Sequence, residues 1–245
     1  MSLNKIVIVL SSVAAAITML SCTAMPPTPS AVSAVLTQSD HQADLKTAYV
    51  ALGKAGGSVF NLDPNKSAVK IYVFRSGSAA KLGHNHVLSA PEFTGFFYLP
   101  IAGASTGQFD LEFRLDQLQF DNPEYRSALG SAFSSVLSPE AISGARKHML
   151  GNDNMQADKY PTVRVHSLQI VGEAPKFAAK VQIQMHGQKR EMVVPLSVEG
   201  LPDSITVTGS FVLRQTDFGA QPYSVLGGLL AVKDEVVIEF KLTGT

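Results

Sequence analysis

The sequence has no tryptophan and a single cysteine, Cys22, among its 245 residues. One cysteine excludes a disulfide bond within the chain. Lysine plus arginine and aspartate plus glutamate both number 20, so the chain lacks the basic excess that favours phosphate backbones and anionic lipid surfaces. We therefore expect no nucleic-acid partner.

Signatures of catalysis are also scarce. No nucleophile-plus-base pair stands out, and the sequence has neither a HExxH zinc motif nor a phosphate-binding loop. We expect a protein that is not an enzyme and that needs no cofactor.

The N-terminus has the pattern of an export signal. Lys5 precedes the apolar run 6–20, which is too short to remain as a membrane-spanning helix. Met19-Leu20-Ser21-Cys22 resembles a bacterial lipobox, in which the cysteine is diacylated and becomes the new N-terminus. This pattern predicts a signal over 1–22 and a periplasmic lipoprotein anchored to the outer membrane through Cys22. The alternative is a soluble periplasmic or secreted protein that is cleaved nearby, for example after Ala24.

A linker is expected over 23–57. Its first part is rich in Pro, Ser, Thr and Ala, which is typical of a flexible tether. Within 41–52, Leu45, Tyr49 and Leu52 have helical spacing and predict a short helix before a glycine-rich breaker. The globular domain is predicted over 58–245.

Alternating apolar and polar residues dominate that domain. Such segments predict strands with one dry and one wet face, which is the antiparallel pattern; they lie at 69–73, 109–115, 179–186, 205–213 and 236–242. The fold class is therefore all-β, an antiparallel barrel. Pro195 lies inside one of the apolar runs and predicts an edge, a bulge or an interruption there.

One insert, 125–151, breaks the strand pattern. Its apolar residues have helical spacing, and Ser138-Pro139-Glu140 has an N-cap followed by proline at the first helical position. We expect a broken helix or helical hairpin here. Its apolar stripe would pack on the barrel, either as an end cap or against the outer wall.

Four motifs in order resemble those of the YceI-like family. They are Val59-Phe60-Asn61-Leu62-Asp63, Lys159-Tyr160-Pro161, Met185-His186-Gly187, and Arg214-Gln215-Thr216-Asp217-Phe218-Gly219 with Lys233-Asp234-Glu235-Val236 beyond it. The resemblance implies a lipocalin-like barrel of eight strands that binds a polyisoprenoid or another lipid such as a fatty acyl compound. The dry faces of the strands provide the candidate lining for such a ligand: Phe109, Leu111, Phe113, Val181, Ile183, Val207 and Phe211.

Histidines provide the main alternative. His84 and His86, two residues apart, would share a face of an extended segment, and with His148 or His186 they could bind a metal ion. They could equally well bond to backbone or line the mouth of a pocket. His186 beside Gly187 favours a turn, and Asp217 is expected to close a turn by accepting from backbone amides.

Three functions therefore remain open at this point. The leading hypothesis is an exported lipid-binding protein, with the membrane and an apolar ligand as partners and a homodimer possible. The alternatives are a metal-binding or redox accessory protein that uses His84 and His86, and an interaction scaffold whose barrel is filled by its own side chains.

Overall fold

Antiparallel strands form most of the fold. The computed structural model describes residues 38–245, which belong to one compact unit. Within this part of the chain, no helix is long and apolar enough to cross a membrane. The predicted signal segment and Cys22 lie outside the described residues.

The elements follow one another along the chain with short connections. The helices are α1 (Gln38–Ala55), α2 (Pro123–Ala128) and α3 (Pro139–Leu150). The strands are β1 (Ser58–Asn61), β2 (Ala68–Val73), β3 (Arg75–Ser76), β4 (His86–Ser89), β5 (Thr94–Leu99), β6 (Gln108–Arg114), β7 (Gln119–Phe120), β8 (Thr162–Glu173), β9 (Lys176–Met185), β10 (Gln188–Glu199), β11 (Ile205–Arg214), β12 (Ser224–Val225), β13 (Leu230–Val232) and β14 (Glu235–Gly244).

One large sheet curls until its β1 edge returns to β14. Its order is β1-β5-β6-β8-β9-β10-β11-β14-β2-β4-β7, and every pair is antiparallel. Closure comes from a bridge between Leu62 and Gly244, beside which the Asn61 amide donates to the Thr245 carbonyl at 3.0 Å. Segments β1 and β2 act as one bent strand, as do β4 and β5, so eight strands surround the interior. The predicted barrel class is confirmed.

The hairpin between β9 and β10 turns in two residues. His186 and Gly187 both have positive φ, 51° and 72°, which is the pattern of a type I′ turn that suits the twist of the flanking strands. A Cβ atom on Gly187 would lie 2.7 Å from a ring carbon of Tyr160, so this position also requires glycine for space. The turn role predicted for His186 is confirmed.

Pro195 lies in β10, where it interrupts the hydrogen-bond ladder with β11 but leaves β10 itself continuous. Strand β10 pairs with β9 from Gln188 to Ser197, Pro195 included, whereas its pairing with β11 runs only from Leu196 to Glu199. Proline has no amide proton to donate, so it lies where one side of the strand lacks a regular partner.

One end of the barrel, which we call the cap end, carries the helical insert and a small sheet. It is the end at which β6, β9 and β11 finish. The broken helix is present as α2 and α3; at the start of α3, the Ser138 hydroxyl accepts from the Ala141 amide at 3.2 Å and Pro139 is the first helical residue. Strands β12, β13 and β3 form the small sheet beside it. The insert therefore forms an end cap, which was one of the two predicted positions.

Helix α1 packs on the outer wall of the barrel. Tyr49 is only 1% exposed, stacks on Phe96 at a centroid distance of 5.1 Å, and donates from its hydroxyl to Asp110 at 2.8 Å. The predicted short helix is thus present and longer than expected. Its His41 lies 2.9 Å from Glu112 on the polar face of β6, and Arg164 pairs with the same carboxylate at 2.6 Å. Glu112 is therefore 0% exposed, which corrects the expectation of a wet face at that position.

Candidate functional site: an apolar cavity in the barrel

The barrel encloses a cavity of about 860 Å³. This volume falls within the roughly 300–1,000 Å³ that is typical of small-molecule sites. Inward-facing side chains such as Phe109, Val207 and Phe211 line it and are not fully buried, because they face open space instead of one another. The interior is therefore not filled by its own side chains, and the filled-scaffold alternative loses its basis.

All seven residues predicted from the dry strand faces line this cavity. They are Phe109, Leu111, Phe113, Val181, Ile183, Val207 and Phe211. The three strands that carry them, β6, β9 and β11, place these side chains inward because successive residues of a strand alternate between its faces. The lining was thus correctly placed from periodicity, while ligand contact by these residues stays a prediction.

Helix α3 closes the cap end of the cavity with a face of mostly small residues. Ala141, Gly144, Ala145, His148 and Met149 all line the cavity. Their spacing of three, four, seven and eight residues from Ala141 defines one helix face. The apolar stripe that sequence reasoning placed on the barrel was a different one, formed by Ala128, Leu129, Phe133, Val136 and Leu137. For Val136 that expectation was wrong, because its side chain is 95% exposed. The α3 face was not assigned to the site, although its spacing was the available signal.

A buried ionic network supports the lining near His86. Asp121 accepts from the His86 ring Nδ1 at 2.6 Å, from Arg126 at 2.6 Å and from the Val87 amide at 3.1 Å. Burial acts to raise the pKa of the Asp121 carboxyl, but its bonds to His86, Val87 and Arg126 outweigh burial and lower that pKa below its usual value. Because His86 itself lines the cavity, its ring is held in place there by Asp121. Sequence reasoning did not find Asp121 or Arg126.

The histidines do not converge on one point. His84 and His86 both line the cavity, but Nδ1 of His84 lies 3.3 Å from the Ser135 hydroxyl and Nδ1 of His86 is engaged by Asp121. Burial, followed by the nearby His86 and Arg126, lowers the pKa of His84. Across residues 38–245, no group of three or more His, Cys, Asp or Glu side chains is placed to hold a metal ion. Metal binding by His84 and His86 stays a prediction without a third ligand in this region.

The other two histidines considered as metal ligands, His148 and His186, have separate positions. The ring of His148 lies 4.8 Å from that of Tyr223 across the cap. His186 is buried, donates from Nδ1 to the Phe218 carbonyl at 2.9 Å and packs edge-on against Tyr160 at 5.1 Å. Three of the sequence motifs therefore meet in one structural cluster at the cap end.

Turn closure next to that cluster depends on a different aspartate from the one predicted. The carboxylate of Asp234 accepts from the Thr216 amide at 2.9 Å and from the Thr216 hydroxyl at 2.6 Å. Asp217 lies in the same turn with its side chain exposed. The expectation for Asp217 was wrong because the bonds come from across the hairpin and not from the turn itself.

One segment carries a pattern associated with hydrolases. Gly103-Ala104-Ser105-Thr106-Gly107 matches Gly-x-Ser-x-Gly, which in such enzymes lies on a sharp turn from a strand into a helix. Here it forms a single 3₁₀ turn between β5 and β6, two strands of one antiparallel hairpin. The structural context is therefore not that of a nucleophile.

An antiparallel barrel with an apolar interior defines a lipocalin-like class of binding protein. A model of the YceI-like domain matches residues 60–244, and the chain belongs to the YceI-like family. This family is known for barrels that bind polyisoprenoids or other lipids, and its members are generally binding proteins rather than enzymes.

One solved structure supports the fold. The chain is similar to BcnA from Burkholderia cenocepacia, with a TM-score of 0.54 and 16% identity over 75% of this chain and 99% of that one. It is also similar to the YCEI protein of Campylobacter jejuni, with a TM-score of 0.47 and 10% identity over 64% of this chain and 84% of that one. Among curated proteins, none matches at a significant level.

Proposed function

We propose that the protein binds one long apolar or amphiphilic molecule, such as an isoprenoid or acyl compound, inside its barrel. The observation that carries this proposal is the cavity of about 860 Å³, whose walls are aliphatic and aromatic side chains. An apolar tail that buried about 400 Å² there would gain on the order of 10 kcal/mol at ~25 cal/mol per Å², before the cost of ordering it.

Polar groups are confined to the cap end of the cavity. Arg75, His84, His86 and Asn154 lie there, whereas the interior walls are apolar. This distribution suits a ligand with a long apolar part and at most a small polar end. Neither a phosphate-rich nor a strongly charged ligand matches these walls, because buried charges need paired partners.

The sequence pattern at the N-terminus supports a proposal for where the protein is located in the cell. We propose export, acylation at Cys22 and anchorage to the outer membrane, with the barrel in the periplasm. Labelling of cells with a fatty-acid analogue tests this, since the wild-type protein should take up the label and a Cys22→Ala variant should not. Retention of label by that variant would exclude acylation at Cys22.

The ligand itself is tested by extraction of the purified full chain with organic solvent, followed by mass spectrometry. A lipid in near-stoichiometric amount is expected. Val207→Trp should lower its amount several-fold, because Val207 lines the cavity and the larger ring would occupy space that the ligand needs.

A matched control lies on the same strand. Val212 is 53% exposed, so Val212→Trp should leave the lipid content unchanged. Absence of any lipid from repeated wild-type preparations, or an equal loss in both variants, would refute binding in the barrel.

A further inference from the structure

Several large apolar side chains at the cap end face solvent. Val136 is 95% exposed, Leu82 76%, Leu226 70% and Leu229 47%. We call these four residues the apolar rim. A group of exposed apolar side chains is unfavourable in water and is typical of an interaction surface.

The rim belongs to the same turns that line the cavity. Leu82 lies between the lining residues Ala80 and Gly83, and Leu226 and Leu229 adjoin the lining residues Val225 and Leu230. The two turns are joined, since the Ala79 amide donates to the Leu229 carbonyl at 2.9 Å.

Val136 adjoins this group through its neighbour in sequence. Ser135 lies 3.3 Å, through its hydroxyl, from the ring of His84, which lines the cavity. The rim is therefore continuous with the cavity wall at this end. Segments 79–84, 131–138 and 223–230 contain Lys81 as their one formally charged residue, so the surface is almost uncharged.

Helix α1 enters the domain from the same end. His41, near its start, lies 2.9 Å from Glu112, which is close to the cap end of β6. Tyr49 contacts Asp110 further down the barrel, and a Cβ atom placed on Gly53 would lie 3.3 Å from the Val59 side chain on β1. Helix α1 thus starts near the cap end and runs away from it.

We propose that the apolar rim docks on the surface of a lipid bilayer, so that the cavity exchanges its ligand directly with the membrane. The inference rests on the proposed lipid-binding function. A bilayer is the occupant that these observations favour, because the rim is apolar, almost uncharged and continuous with a cavity for an apolar ligand. From Cys22, the sixteen residues that lead to Gln38 span at most about 55 Å when extended, so an anchor at Cys22 keeps this end within reach of the membrane.

The absence of tryptophan makes the test site-specific. Leu82→Trp and Leu226→Trp each introduce a single tryptophan on the rim, while Ile101→Trp places one at an 89% exposed position in the β5–β6 turn at the opposite end. Each full-length variant is reconstituted in phosphatidylethanolamine and phosphatidylglycerol vesicles. The readouts are the emission maximum and quenching by brominated phospholipid.

The rim tryptophans should shift to shorter wavelength on vesicles and be quenched at least about twofold more than the tryptophan at position 101, since docked side chains reach the acyl boundary. Equal quenching at all three positions would overturn the proposal, because anchorage alone brings the domain near the bilayer. A concentration-dependent blue shift without vesicles would also overturn it, by showing that a second copy covers the rim.

Lipid extraction of the same samples separates the two proposals. A variant that retains its lipid but shows no rim quenching argues against docking and leaves the lipid-binding function in place. Rim quenching in protein that never carries a lipid would argue against the binding function and leave docking in place.

Discussion

Removal of the Asp121 carboxylate should destabilise the protein strongly. Asp121 has a fully buried side chain, and it pairs with Arg126, whose side chain is 8% exposed. In Asp121→Ala, the Arg126 guanidinium keeps its bonds to the Asn85 and Ser135 carbonyls but loses its only carboxylate partner in the described contacts. The Val87 amide and the ring of His86 also lose their acceptor.

The expected loss in the free energy of unfolding is about 3–5 kcal/mol, the range measured when one partner of a buried ion pair is removed. For a domain of about 200 residues, one kcal/mol shifts the melting temperature by about 2–4 °C. The melting temperature should therefore fall by roughly 6–20 °C. Urea unfolding followed by circular dichroism measures the free energy directly.

A surface pair gives the matched control. Asp116 lies 2.7 Å from Arg114 with its side chain 46% exposed, and such exposed pairs contribute about 0–1 kcal/mol. Asp116→Ala should therefore change the free energy of unfolding by less than about 1 kcal/mol. The contrast between the two aspartates isolates the effect of burial.

The double variant Asp121→Ala with Arg126→Leu tests the mechanism. It should be more stable than Asp121→Ala alone, because the unpaired buried guanidinium has been removed. A loss in the free energy of unfolding below about 1 kcal/mol in Asp121→Ala would refute the reasoning. So would a loss in the double variant equal to the sum of the losses in Asp121→Ala and Arg126→Leu.

Two further predictions concern other buried polar contacts. Tyr49→Phe should lower the free energy of unfolding by about 1.5–3 kcal/mol, because its hydroxyl donates to the charged Asp110; an unchanged urea midpoint would contradict this. The pKa of Asp121 is lowered in the folded state, so its contribution to stability is complete above the unfolded pKa of about 3.9 and is lost as the pH falls through the folded value. The urea midpoint, measured from pH 7 to pH 2, should decrease once the pH is lower than about 4, and this decrease should be less steep in Asp121→Asn. Equal dependence of the midpoint on pH in the two proteins would count against this assignment.

The strand series was largely predictable because its signal is local. Alternation along β6, β9 and β11 placed seven side chains inside the barrel, since each residue's face depends only on its neighbours along the strand. The start of α3 was equally predictable from the sequence, because an N-cap serine and a first-turn proline act within three residues. Local rules of this kind do not require the topology.

The polar network at the cap end was not predictable in the same way. Asp121 meets His86 across 35 residues of chain, and Asp234 rather than Asp217 closes the turn at Thr216 from 18 residues away. Glu112 was expected in solvent and lies under α1, which precedes it by some 60 residues. Each contact depends on how distant segments pack, which periodicity does not describe.

The sequence by itself determined an antiparallel barrel of the YceI-like family and the inward faces of its strands. Only the tertiary structure decided that the interior is open, because a cavity is the difference between the space the strands enclose and the volume of the side chains that enter it. Small residues on α3 and the curl of the sheet set that difference, and both depend on contacts between segments far apart in the chain. The apolar rim is likewise a tertiary feature, since it joins three turns that are separate in sequence.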